Sequence, residues 1–199
     1  MNFFDTNVYR KSLKLLETLP SEPRYIDVSE AEKIFNGVKV CSFTGHRPEK
    51  LPWGMDESDP RCGALKKQIA EAVAAAADRG FTTFLCGMAR GCDFWFAGAV
   101  LEAKQTRPEL RLEAYLPCPS QPDRWRSEDR ERYERLLLNC DAVHMVEPVY
   151  SEGCMLRRNR VMIDRCDELL TVWDGSRGGT AAAVRHARKS GKHVTGLWL

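Results

Sequence analysis

Apolar and polar positions along the chain switch repeatedly between two periods, and the switches mark out a regular order of elements. Short runs dense in β-branched and aromatic residues occur at VKVCSF (38–43), FTTFLC (81–86), LRLEAYL (110–116), AVHMV (142–146), ELLTVW (168–173) and HVTGLWL (193–199). Such runs predict strands covered on both faces. Between them apolar positions recur at helical spacing, in ALKKQIAEAVAAAADRG, DFWFAGAVLEAKQ, SEDRERYERLLLNC, MLRRNRVMIDRC and TAAAVRHARKSG. Gly80 and Gly191 close the first and last of these, and Pro108 stops the second. This alternation predicts an α/β fold with a mainly parallel sheet, occupying residues 37–199.

Residues 1–36 carry a different pattern. Val8, Leu13, Leu15, Leu16 and Leu19 predict an amphipathic helix from Asp5 that Pro20 ends, and Ser29 with Glu32 forms a capping box for a second. This part is expected to be a short helical appendage on the main domain.

Length and composition narrow the picture only a little. The 199 residues suit one domain with a substantial core, and 43% hydrophobic with 29% charged residues is ordinary for a globular protein. Thirty Lys+Arg against 28 Asp+Glu leave a net charge of +2. That balance disfavours nucleic acid as a partner and makes any anion site a local feature. The N-terminus has no apolar stretch after a basic start, and no run approaches the ~18 apolar residues of a membrane span. A cytoplasmic protein is expected. Eight cysteines include no C-x-x-C pair and no close His partner, so they read as reduced thiols, with no metal and no cofactor implied.

Ligands of parallel α/β sheets bind at the carboxyl ends of the strands, which directs attention to the loops that follow them. The first loop is Thr44-Gly45-His46-Arg47-Pro48, where Gly45 permits close backbone approach and its neighbours offer donors to an anion. The second, Cys86-Gly87-Met88-Ala89-Arg90-Gly91-Cys92-Asp93, sets small residues around two glycines and a carboxylate at the start of the next helix. The loop after the fifth strand contains Asp174 and then Gly178-Gly179-Thr180, a glycine pair opening a helix where N–H groups can close on a phosphate. Neither G-x-G-x-x-G nor a Walker A sequence is present, which disfavours a kinase or a standard nicotinamide dehydrogenase.

Arg157, Arg158 and Arg160 crowd the start of a helix, where cations are unfavourable unless they meet an anion, and Arg158 and Asn159 are the candidates there. Trp125 either stacks on a base or packs on the neighbouring helix. His144 reads as a buried structural histidine, and His186 and His193 show no evident partner.

Five ordered segments, CSFTGHRPEKLPWG, CGMARGCDFWFA, LPCPSQPDRW, GCMLRRNRVMID and TVWDGSRGGTAAAV, resemble the YpsA-like branch of the SLOG superfamily over residues 38–199. The resemblance implies a Rossmann-like three-layer sandwich with a pocket for a nucleotide or nucleotide derivative such as ADP-ribose, and a regulatory role in bacterial cell division or stress. Part of the pattern is similar to the lonely-guy phosphoribohydrolases. Met155, Arg158 and Met162 match their Met-x-x-Arg-Lys-x-x-Met helix, with Asn159 at the lysine, and Gly179-Thr180 match their Gly-Thr. Their glutamate falls on Ala183, which cannot transfer a proton or stabilise a cationic centre. The 86–93 loop is similar to that of the DprA family, which binds single-stranded DNA.

The site expected from the sequence is therefore Thr44, Gly45, His46, Arg47, Gly87, Ala89, Gly91, Asp93, Arg158, Asn159, Asp174, Gly178, Gly179 and Thr180. Its first reading is binding of a nucleotide-derived small molecule. The alternatives are hydrolysis of an N-glycosidic or phosphate-ester bond with Asp93 as the catalytic acid, and single-stranded DNA binding as in DprA. A protein partner recruited by residues 1–36, and a homo-oligomer, are further expectations.

Overall fold

The computed structural model describes residues 38–197. The expectations for residues 1–36, the boundary at 36/37 and the last two residues of HVTGLWL lie outside them.

Six strands form one sheet: β1 (Lys39–Gly45), β2 (Phe81–Cys86), β3 (Arg111–Leu116), β4 (Ala142–Met145), β5 (Glu168–Val172) and β6 (His193–Leu197). Five helices connect them: α1 (Pro60–Asp78), α2 (Cys92–Lys104), α3 (Ser127–Leu138), α4 (Cys154–Asp164) and α5 (Gly179–Lys189). The strand order is β4-β3-β2-β1-β5-β6, and every adjacent pair is parallel. The chain winds outward from β1 to β4, then returns to place β5 against β1 with Thr44 opposite Thr171. The winding direction thus reverses between β1 and β5, opening a crevice at their carboxyl ends.

Alternation along each strand supplies two apolar faces, as a three-layer sandwich requires. Phe43, Phe84, Leu112, Leu170 and Val172 join residues of α1, α2 and α3 in the larger core, where Phe43 stacks on Phe96 with ring centroids 4.5 Å apart. Leu169 packs with Ile163 of α4 and Ala183, Val184 and Ala187 of α5, while Leu85 and Tyr115 pack with Met162. Ala183, where the resembled hydrolases hold their glutamate, lies in that second core.

α1 begins four residues before the apolar pattern suggests. Asp59 accepts the Arg61 N–H at 2.8 Å as its cap, and Pro60 fills the first helical position. All eight cysteines are unpaired, and all but Cys140 are buried. Burial pushes the Cys140 thiol up to about 12 and that of Cys166 to about 11, so these behave as small apolar core residues. Among the described residues no helix is long and apolar enough to cross a membrane.

Candidate functional site

The loops after β1, β2 and β5 and the start of α4 meet in a cleft of about 360 Å³ at the crevice between β1 and β5. Thr44, Gly45, His46, Arg47, Ala89, Asp93, Arg158, Asn159, Gly178, Gly179 and Thr180 all line it. Close packing of backbone against backbone makes this convergence possible. A Cβ at Gly45 would collide with that of Cys92, and one at Gly91, already at φ +83, would lie 2.9 Å from the Pro48 ring. The Cys92 N–H donates to the His46 carbonyl at 3.3 Å, tying the first loop to the second. The Thr180 hydroxyl donates to the Gly45 carbonyl at 3.3 Å, tying the first to the fifth.

The two charges deepest in the cleft belong to Arg158 and Asp93, 3% and 6% exposed. The Nη1 of Arg158 donates to the carbonyls of Gly87 and, at 3.0 Å, Tyr115, and its Nε donates to Asn159 Oδ1 at 2.9 Å. Asp93 does not cap α2. Its Oδ2 accepts the Ala89 N–H at 3.1 Å. Burial pushes the Asp93 carboxyl above the usual aspartate range, against the opposing pull of Arg158, the Ala89 N–H, Arg47 and the Gly45 N–H. Burial likewise lowers the Arg158 guanidinium, with Asp93 opposing it.

Three expected site residues stand behind the cleft wall. Gly87 is covered by the Arg158 guanidinium, which a Cβ there would strike. Gly91 turns the chain into α2. Asp174, whose side chain is 42% exposed, faces away and accepts from His46 Nε2 at 2.8 Å and from the Ser176 N–H at 2.8 Å. The Ser176 bonds, then His46, hold the Asp174 carboxyl well below the usual carboxylate range. An ionised acceptor fixes the proton on Nε2, which rules out the competing approach of the Asp174 N–H at 3.3 Å. His46 Nδ1 is buried and without a partner among the described residues.

The cleft also holds residues the sequence reading missed. Lys50 and Glu49 lie in a short 3₁₀ turn, Pro48–Lys50, which curls the first loop back towards the fifth. The Lys50 ammonium donates to Ser176 Oγ at 3.2 Å and to the Arg177 carbonyl, and a Cβ at Gly178 would lie 2.9 Å from it. Glu49 pairs with Arg90. Met155 and Leu156 give the opposite wall an apolar character, and Leu156 is exposed rather than turned to the core. The positions of Lys50 and Leu156 follow from one turn and one helical rotation, which no local residue preference reports.

Other candidates are accounted for by packing or pairing. Trp125 meets Phe94 and Tyr133 edge-on, at 5.8 and 5.3 Å, with Arg90 over its ring. Arg157 pairs with Glu147 outside the cleft. His144 is half-buried on the edge strand, bonded to Glu113 at 3.0 Å and stacked on Tyr115. His186 has a partner after all, Asp164 at 2.6 Å.

The arrangement gathers Arg47, Lys50 and Arg158 around the N-terminus of α5, which no side chain caps. Its first N–H groups and these cations suit a phosphate, and Asp93 can exchange a hydrogen bond or a proton with whatever lies beside it.

A family model described as the YspA SLOG family matches residues 41–195. The chain is 28% identical to a UPF0398 protein of Bacillus pumilus over 146 residues, 72% of this chain and 77% of that one. It is also 28% identical to a UPF0398 protein of Bacillus cereus strain G9842 over 159 residues, covering 78% and 85%. Among solved structures it is similar to DNA processing protein A from Helicobacter pylori, described for its single-stranded DNA binding mode. The TM-score is 0.55 at 16% identity, over 82% of this chain and 67% of that one. The X-ray structure of DprA from Streptococcus pneumoniae gives a TM-score of 0.56 at 14% identity, over 82% of this chain and 51% of that one. At those identities the likeness is one of fold, and this chain spans about half the length of the pneumococcal protein.

Proposed function

The chain belongs to the YspA SLOG family, and we propose that it binds a small phosphate-bearing ligand of the nucleotide class in the cleft between β1 and β5. One observation carries this reading: Arg47, Lys50 and Arg158 converge with the uncapped start of α5 on one cleft at the point where the sheet reverses. Phosphate is the group that such a set of donors recognises. The apolar wall of Met155 and Leu156 suits a base or another flat group attached to it. Ligand occupancy, rather than turnover, is the output, in keeping with a regulatory role.

Single-stranded DNA enters as a competing ligand through the Helicobacter protein of similar fold. Two features favour the small molecule. Arg158 is 3% exposed, out of reach of a phosphate held within a strand, and a net charge of +2 gives little general attraction for a polyanion. Hydrolysis would draw on Asp93, because Ala183 is core and Glu49, the other carboxylate of the cleft, is paired with Arg90.

Calorimetric titration of the full chain with AMP, ADP, ADP-ribose and an oligo-dT strand tests the proposal, with chromatography of the incubated nucleotides as a check for turnover. Saturable binding of a nucleotide, lost in Arg158→Met, is expected. Binding of the oligonucleotide alone, or of nothing at millimolar concentration, refutes the reading. Turnover abolished in Asp93→Asn would replace it with the hydrolase.

A further inference from the structure

The turn from β2 into α2 contains Met88 at φ +53, among the described residues the one non-glycine with a positive φ. A long, fully buried side chain in that region is strained, and it persists there only where its surroundings enforce it. The enforcing group comes from another loop. Gln121, 7% exposed in the segment after β3, donates from Nε2 to the Met88 carbonyl at 2.8 Å and to the Gly87 carbonyl at 3.3 Å. The same Gly87 carbonyl accepts from Arg158 Nη1, and the next N–H, of Ala89, donates to Asp93. One amide group therefore stands behind both buried charges of the cleft without lining the cleft itself.

The amide is only half satisfied: its Oε1 is buried with no partner, and its NH₂ group makes both of its contacts. What glutamine supplies is its NH₂ group, aimed at two carbonyls that a strained turn presents.

We propose that Gln121 is a positioning residue that, through the Gly87 carbonyl, fixes the Arg158 guanidinium in the cleft. Without the amide, the Gly87–Met88 peptide rotates to relieve Met88, and Nη1 of Arg158 loses its closest acceptor. The consequence for ligand affinity rests on the anion-binding reading above; the positioning does not.

The test compares the ligand-free full chain with Gln121→Met by NMR, following the Arg158 Nε–Hε resonance and the titration of the Asp93 carboxyl. Methionine keeps the length and removes both the donor and the unpartnered acceptor, so a cooperative fold is expected; thermal unfolding checks it. The expected result is a displaced Arg158 resonance and an Asp93 midpoint moved upward, since the nearby cation holds it down. An Asp93 shift with the Arg158 resonance unmoved means that the turn acts through Ala89 and overturns the proposal, as does no change in either signal. AMP titrated into the same two proteins should bind about tenfold more weakly to the variant. If the wild type binds no AMP while both signals move, the ligand reading fails and the positioning stands. Should Gln121→Met not fold, Gln121→Leu, which also lacks the donor and adds no charge, gives the same two readouts.

Discussion

Gly87→Ala isolates the placement of Arg158 in one methyl group. Gly87 has no left-handed φ that alanine would resist, so the backbone itself poses no obstacle. The new Cβ, however, would lie 2.9 Å from Nη2 of Arg158 and closer still to Nη1 and Cζ. The guanidinium must therefore move, and the room open to it is the cleft that it lines. Moving it breaks the charge-assisted bonds to the Gly87 and Tyr115 carbonyls, each worth about 1.5–3 kcal/mol, and relaxation recovers part of the loss. A net destabilisation of about 2–4 kcal/mol follows, together with a loss of roughly 10–100-fold in nucleotide affinity from one misplaced cation. Urea unfolding and AMP calorimetry measure the two effects. Gly98→Ala is the control, since a Cβ there meets nothing within 4 Å and a helix interior gains about 0.5–1 kcal/mol from alanine. Were Gly87→Ala as stable as Gly98→Ala, with unchanged AMP affinity, the position given to Arg158 would be wrong.

Lys50→Ala, on the exposed side of the cleft, should leave unfolding within about 0.5 kcal/mol of wild type, yet weaken AMP severalfold and flatten the salt dependence of its binding. Asp93 has a raised carboxyl pKa, so the folded protein keeps a proton that the unfolded chain has released; its contribution to stability declines as pH rises above the ordinary 3.8. Asp93→Asn should remove that decline in urea unfolding measured across pH. Asp174 is the opposite case, held low, with its stabilisation complete above 3.8 and lost below it. Asp174→Asn should therefore blunt the acid-side loss and, by releasing His46, lower AMP affinity. Ala183→Glu should cost more than about 3 kcal/mol by placing an unpaired carboxylate in the core, and should not create hydrolase activity.

Period and punctuation carried the fold well, because strands buried on both faces and helices with one apolar stripe write different repeats into the chain. The start of α1 was legible only through its Asp59-Pro60 cap, which a search for apolar spacing passes over. The cleft was legible wherever its chemistry sits in a loop directly after a strand, as with Thr44–Arg47, Asp93 and Gly178–Thr180. It was hidden wherever position depends on how a loop folds back. Asp174 follows β5 as directly as any of them, yet a bond to His46 turns it outward. Lys50 enters through a 3₁₀ turn, and Gly87 proves to be room for an arginine rather than for a ligand. Gln121 was unreadable for the same reason, since its role exists only in contact with two carbonyls 33 and 34 residues away.

The two buried charges set what the cleft can do. In the resembled phosphoribohydrolases an arginine works with a glutamate on the helix that follows the glycine turn. Here that helix position is Ala183, packed against Ile163 and Leu169, so no carboxylate can reach the cleft from α5. The acid instead comes from α2, behind the Ala89 N–H, where burial favours its protonated form. A protonated Asp93 can donate a hydrogen bond to a phosphate, whereas an ionised one repels it. A phosphate beside this carboxyl would favour its protonated form further, in the direction that burial already sets. A carboxyl raised in this way suits donation of a hydrogen bond or a proton better than nucleophilic attack. Under the proposed reading, retention of a phosphate rests on Arg158 and the start of α5, and cleavage would rest on proton delivery by Asp93, which the turnover check with Asp93→Asn decides.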